Sequence, residues 1–426
     1  MVKVEDEFIR DAAVYLGSFK QRKAMIRLTT VLLFTLCLAL TAIVVGCGED
    51  KENIEDDKDE MITDVPPDRP VDIPDPTLRE SVEAHLRIFD RDYQSGTVIT
   101  AGEIGQLGTL EVFSQDVVKD LTGLEYATGL QILKLGGPWE DDERQTLDLT
   151  PLAKLTNLRV LELERYDITD LAPLAGLTQL QELSLDSITL EEAPAPDLTP
   201  LAGLTNLTSL WISECFITDI TPLAELTGLG SLILRENWIE DITPLAKLTN
   251  LFYLTLSNNS IEDFTPLAGL TNLRTLNLDE NRIEDITPLA GLTKLDSLDL
   301  SYNQIADITP LAGLTKLEVL NLSNNHWPIT DITTLVNMAD LAILTLSFNQ
   351  GMDVSPLLEL NKLRTLTLHF DRNADVSPLV ALNNLPHLHL TIWGLGYIQD
   401  QRPLCDLEVE SAESNFRALR PQLDCE

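Results

Sequence analysis

Residues 273–294 read LRTLNLDENRIEDITPLAGLTK, and the spacing of apolar residues along this stretch decides the architecture. Leu276 and Leu278 alternate with polar neighbours, as a short strand with one buried face demands. Ile283, Ile286, Leu289 and Leu292 follow at wider intervals, so the chain must turn back and bury a second set of side chains behind the strand. Thr287-Pro288 suits the start of a single helical turn, because threonine can cap it and proline at the first helical position has no N–H to satisfy. One such unit cannot bury all of its apolar groups by itself.

The unit is not alone. The same pattern restarts at thirteen register leucines from Leu107 to Leu385, most of them 22 residues apart, with insertions at 136–145, 191–196 and 327–328. A period of this size means stacked units that share one continuous core and need capped ends. The expected fold is an α/β repeat solenoid over 107–393, with a parallel sheet on one side and short helical or 3-10 turns on the other. Asn281 recurs as Asn237, Asn259, Asn303, Asn325 and Asn349, a ladder whose amides can satisfy the backbone of the turn leaving each strand. Cys215 stands at the same position, which marks it as a small buried substitute rather than a reactive thiol.

The flanks read differently. Residues 77–89, TLRESVEAHLRIF, have helical spacing behind a threonine N-cap, and 76–106 is the expected helical N-terminal cap. Asp90, Asp92, Gly96, Val98 and Glu103 are arranged like a calcium loop carrying one extra residue. Residues 47–75 are acidic and proline-rich, the composition of a disordered tether. Residues 394–426 are enough for a C-terminal cap, in which Cys405 and Cys425 are disulfide candidates.

Residues 28–46, LTTVLLFTLCLALTAIVVG, follow Lys20, Arg22, Lys23 and Arg27 and precede Glu49 and Asp50, so they are a signal-peptide core or a spanning helix. Val44-Val45-Gly46-Cys47 resembles the bacterial lipobox, which implies a lipid on Cys47. Counted from Met25 the segment has the length of a lipoprotein signal, and translation is expected to start there; the alternative is an uncleaved anchor with residues 1–24 in the cytoplasm. Either way the repeats lie outside the cytoplasmic membrane. Gly48 points to the outer membrane in a Gram-negative cell, and otherwise the expected site is the extracellular face of the cell membrane.

The formal charge of -38 repels phosphate backbones and argues against nucleic-acid binding. No nucleophile, metal-protease or phosphate-loop motif is found, and the carboxylates recur with the repeat as surface decoration, so neither an enzyme nor a cofactor is expected. Strand alternation puts the third, fifth and seventh residues of each unit on the open face. There Trp211, Ile233 and Tyr253 are expected to form an exposed patch ringed by Glu162, Glu182 and Asp186, the candidate ligand-binding centre. His369, His387 and His389, with His387 in the third column and His389 in the fifth, are weaker candidates for a metal.

The consensus LxxLxLxxNxIxDITPLAxLT resembles the repeat of the internalin family of bacterial leucine-rich-repeat proteins, and the cap resembles the family's truncated EF-hand without calcium. The resemblance implies a curved right-handed leucine-rich-repeat solenoid that recognises proteins through its concave sheet. A lipobox and the lack of a wall-sorting motif depart from the invasion proteins, so an invasion role does not carry over. The expected function is a lipid-anchored, non-enzymatic recognition module for a protein or glycan with a basic or neutral face. The alternative is an envelope scaffold or spacer without a specific ligand.

Overall fold

A computed structural model describes residues 65–393, apart from 90–93, 95, 113–116, 138–144, 169, 189–195, 350–351, 371–375 and 386–387. The tether is shorter than its composition suggests. Val71 and Ile73 are buried, Val71 N–H donates to the Ile99 carbonyl, and the Ala101 and Gly102 N–H groups donate to Arg69 and Pro67, so the folded cap already includes 67–75.

Helix α1, Pro76–Phe89, is capped by Asp75 and not by Thr77: Asp75 Oδ1 accepts the Leu78 N–H at 2.8 Å, and Pro76 opens the helix. Asp75 Oδ2 also accepts the Lys119 N–H at 2.7 Å, which ties the cap to the first repeat. In the short α2, Ala101–Ile104, the Glu103 carboxylate closes a capping box with Thr100. Asp90 and Asp92, needed for the calcium-loop reading, lie outside the described residues.

The solenoid contributes thirteen parallel strands to one sheet. They are β1 (Thr109–Val112), β2 (Ile132–Gly136), β4 (Val160–Glu164), β6 (Glu182–Asp186), β7 (Ser209–Ser213), β8 (Ser231–Ile233) and β9 (Tyr253–Thr255), then β10 (Thr275–Asn277), β11 (Ser297–Asp299), β12 (Val319–Leu322), β13 (Ile343–Phe348), β14 (Thr365–Phe370) and β15 (His389–Trp393). Strands β3 (Gln145–Leu147) and β5 (Tyr166–Ile168) form a separate pair. In the coil from Leu273, Leu276, Leu278, Ile283, Ile286, Leu289 and Leu292 are all at most 1% exposed. Burial of each contributes about 1.5–3 kcal/mol relative to exposure.

The asparagine ladder is present as expected. Asn281 Nδ2 donates to the carbonyls of Leu256 (2.9 Å), Leu278 (3.2 Å) and Asp279 (3.2 Å), and its Oδ1 accepts the Ile261 N–H. What steers each asparagine inward is the residue before it. Glu236, Asn258, Glu280, Tyr302 and Asn324 all adopt left-handed backbone conformations, with φ between 52° and 57°. That residue lies two or three positions past the end of its strand. Phe348 and Phe370 hold the same position without the left-handed turn, and there β13 and β14 run on to six residues while the two rings pack edge to face.

The single turns opposite the sheet are 3-10 helices, such as Thr287–Gly291. Their cap comes from the aspartate, not the threonine: Asp285 Oδ1 accepts the Thr287 N–H at 2.8 Å, and Asp241, Asp263 and Asp307 do the same for Thr243, Thr265 and Thr309. These acids are therefore structural groups and more than decoration. The hydrogen bonds from the threonine hydroxyl and N–H hold the Asp285 carboxyl below the usual carboxylate range.

Candidate functional site on the concave sheet

Strand register sets the rows of the open face. Ser184, Trp211, Ile233 and Thr255 are consecutive partners across β6 to β9, and Glu182, Ser209, Ser231 and Tyr253 form the row beside them. Glu162 pairs with Ser184 and Glu164 with Asp186. The six expected site residues thus fall on five neighbouring strands of one face.

Their exposure differs from the expectation. Trp211 is 5% and Ile233 is 3% exposed, so neither presents an apolar patch; Tyr253 alone of the three is half-buried. Alternation fixes which face a side chain takes, but not how far its neighbours on a crowded parallel sheet enclose it. The Trp211 Nε1–H donates to Ser213 Oγ on its own strand. Trp211 and Ile233 are floor, as is Asp186 at 8% exposed, and the part-exposed groups around them are Lys134, Glu162, Glu182 and Tyr253.

All of these groups but Tyr253 are charged. Lys134 Nζ lies 2.9 Å from Glu162 Oε1. On the next strand, burial and the neighbouring Glu162 charge push the Glu182 carboxyl up, with Lys134 opposing. Asp186 lies 3.8 Å from the guanidinium of Arg235, which is itself 3% exposed and also approaches Glu214 (3.6 Å) and Glu236 (3.2 Å). Further along, Asp299 accepts hydrogen bonds from the Ser301 N–H and hydroxyl and from Asn321, making a polar stretch of floor.

The histidine end is corrected by register. Thr365 pairs with His389 and His369 with Trp393, so His389 belongs to the third column rather than the fifth, and the last register position is residue 387, not Leu385. His369 faces the Trp393 ring at 6.5 Å between centroids. His387, Asp371 and Asp375 lie outside the described residues, as do Cys47, Cys405 and Cys425. Among the described residues no group of three or more histidine, cysteine or acidic side chains could hold a metal. Cys215 is fully buried in the ladder, as expected.

Two exposed groups were missed. Phe216 and Trp238, 46% and 60% exposed, stack edge to face at 5.0 Å on the rim where the chain leaves the sheet. They share the tenth position of consecutive coils, a column that the strand alternation does not list.

Coils of this form, with one parallel sheet, an asparagine ladder and 3-10 turns, define a leucine-rich-repeat protein, and the family pattern described as leucine-rich repeats (2 copies) matches residues 249–291 and 293–337. An internalin, InlF, from Listeria monocytogenes is 34% identical, over 80% of this chain and 95% of its own, with a TM-score of 0.65. The chain belongs to the internalin-type leucine-rich-repeat proteins, a class of interaction modules and not of enzymes. A leucine-rich-repeat protein of Leptospira interrogans, 20% identical over 73% of this chain and 97% of its own with a TM-score of 0.52, shares the fold. No curated protein matches the sequence.

Proposed function

We propose that the chain is a lipid-anchored protein of the cell envelope whose concave sheet recognises a protein ligand with a basic or neutral face. One observation carries this reading: the repeats agree where they build the coil and disagree along the concave face. TPLA recurs at Thr221, Thr243, Thr265, Thr287 and Thr309, whereas the concave-face triplets of successive strands read Ser209, Trp211, Ser213, then Ser231, Ile233, Arg235, then Tyr253, Thr255, Ser257, with Ser209 and Tyr253 the part-exposed members. A spacer has no use for such individuality. The polar floor around Asn277, Asp299 and Asn321 supports a glycan as the second reading.

The anchor part of the proposal rests on the lipobox ending at Cys47, with the outer membrane as the destination in a Gram-negative cell and the extracellular face of the cell membrane otherwise. The recognition part is tested by affinity capture from envelope and medium fractions with the wild-type chain and with Tyr253→Ala and Glu182→Gln. A specific ligand is retained by the wild type and lost by the variants. A capture profile identical in all three favours the spacer.

A further inference from the structure

The tenth residues of the coils form a row along the strand-exit rim. The Trp238 N–H donates to the Ile217 carbonyl, and the Ser260, Arg282 and Gln304 N–H groups donate to the equivalent carbonyl of the preceding coil. Each tenth residue is thus held one coil above the last. In this row Ser260, Arg282, Gln304 and His326 are polar, the ordinary choice for a rim. Phe216 and Trp238 break the pattern, and they do so side by side, with ring centroids 5.0 Å apart and both side chains exposed.

Phe216 is exposed at a conformational cost. Its φ of 58° is left-handed, and its coil has a second left-handed residue, Glu214, where the coils of Asn237, Asn259 and Asn281 have one. A bulky aromatic residue in that region is strained, and folding alone gives no reason to place it there with its ring in water.

The surroundings select the partner. Glu214 and Glu236 stand two residues before Phe216 and Trp238, and Glu240 follows two residues after Trp238. The cations on this side are engaged: Arg235 is buried against Asp186, Glu214 and Glu236, and Arg282, two coils further along the tenth-residue row, pairs with Glu262. One buried guanidinium facing three carboxylates leaves this corner negative. An indole face at a corner where carboxylates outnumber cations suits a cation that is also flat or greasy, since the ring quadrupole and the net negative charge attract the same group.

We propose that the Phe216–Trp238 shelf is a second recognition surface, separate from the concave sheet, which seats an arginine or lysine side chain of a basic protein segment lying along the strand-exit rim. The ring of Trp238 carries the stacking contact, and Glu236 and Glu240 set the charge.

The test uses the full-length chain in detergent and a fluorescent peptide of alternating arginine and serine, read by anisotropy at about 0.15 M salt, where long-range attraction is screened beyond about 8 Å. Trp238→Ala is expected to weaken binding at least about fivefold, as is the same peptide with citrulline in place of arginine. Trp327→Ala, on the same rim four coils further on, is expected to leave it unchanged. Trp238 is mostly exposed, so its replacement leaves the core intact, and a matched melting curve verifies this. Equal affinity of Trp238→Ala and wild type, or no binding of the peptide, overturns the proposal. So does a neutral chito-oligosaccharide that binds in a Trp238-dependent way while the arginine peptide does not, which would make the shelf a sugar platform.

Discussion

Cys215 and Asn237 stand on consecutive rungs of one ladder: the Cys215 N–H donates to Asn237 Oδ1 at 3.2 Å. The Cys215 thiol points to the carbonyls of Leu185 (3.3 Å) and Ser213 (2.9 Å), and one coil later the Asn237 amide meets their equivalents, Ile212 (2.9 Å) and Arg235 (3.1 Å). A thiol thus fills an amide's place with fewer and weaker bonds.

Cys215→Ser is therefore expected to change stability by less than about 1 kcal/mol, because a hydroxyl can donate to the same carbonyls. The native protein should leave Cys215 unmodified by an aromatic disulfide reagent over a time in which the unfolded chain reacts fully. Rapid native labelling would show that the ladder opens at this rung.

Asn281→Leu is expected to cost more. It strands the Leu256, Leu278 and Asp279 carbonyls and the Ile261 N–H, and each buried group left unpaired costs on the order of 1–3 kcal/mol. A chemical-denaturation midpoint equal to that of wild type would mean that water replaces the amide.

Tyr302→Asn is expected to stabilise the chain by about 0.5–1 kcal/mol, since Tyr302 holds a φ of 54° that asparagine tolerates better. Tyr302 is 38% exposed, so the packing lost with its ring offsets part of the gain. An unchanged or lowered melting temperature would show that the ring contributes more than the backbone strain removes.

The pH dependence follows from the turn-capping aspartates. Asp148, Asp197, Asp219, Asp241, Asp263, Asp285, Asp331 and Asp353 all have carboxyls held below their ordinary range by hydrogen bonds from the hydroxyl and N–H of the residue two further on. A group with a depressed folded pKa adds stability above its unfolded value, near 3.9, and loses it as pH falls through the folded value. Glu182 and Asp299, raised by burial, act in the opposite sense but are fewer. Melting temperature should fall steeply below about pH 4, and Asp285→Asn, which keeps the accepting oxygen, should flatten the curve slightly. Asp219 also feels Asp197 and Asp241, so added salt should stabilise the row at neutral pH.

Trp211→Ala is expected to destabilise the solenoid by about 3–5 kcal/mol, as truncation of a buried indole does. It cannot report cleanly on binding, whereas the half-buried Tyr253 can. A Trp211→Ala protein with wild-type melting would return Trp211 to the accessible surface.

The lipid anchor is checked by growth with an alkyne fatty acid: the wild type should carry the label and partition with detergent, and Cys47→Ala should do neither. Label retained on Cys47→Ala would remove the lipobox from the argument.

The coil was legible because its apolar positions are dictated by burial alone, and every register leucine from Leu107 to Leu363 matches the observed strand pairing. Leu385 failed for an identifiable reason. A slip of two residues keeps every side chain on its own face, so Leu388, Leu390 and Ile392 satisfy the alternation in either register. Depth on the open face was not legible either, because period-two alternation says nothing about how far neighbours enclose Trp211. The Phe216–Trp238 pair was visible only by reading the repeats column by column beyond the strand.

Each coil between Leu229 and Lys316 makes the same bonds to the coil before and the coil after, from Asn259 to Leu234 as from Asn303 to Leu278. A 22-residue block can therefore be excised or duplicated between equivalent positions without creating a new kind of junction. The distance from the Phe216–Trp238 corner to Trp393 is then a copy number, altered in steps of about 5 Å, one strand spacing, by recombination within the gene rather than by substitution.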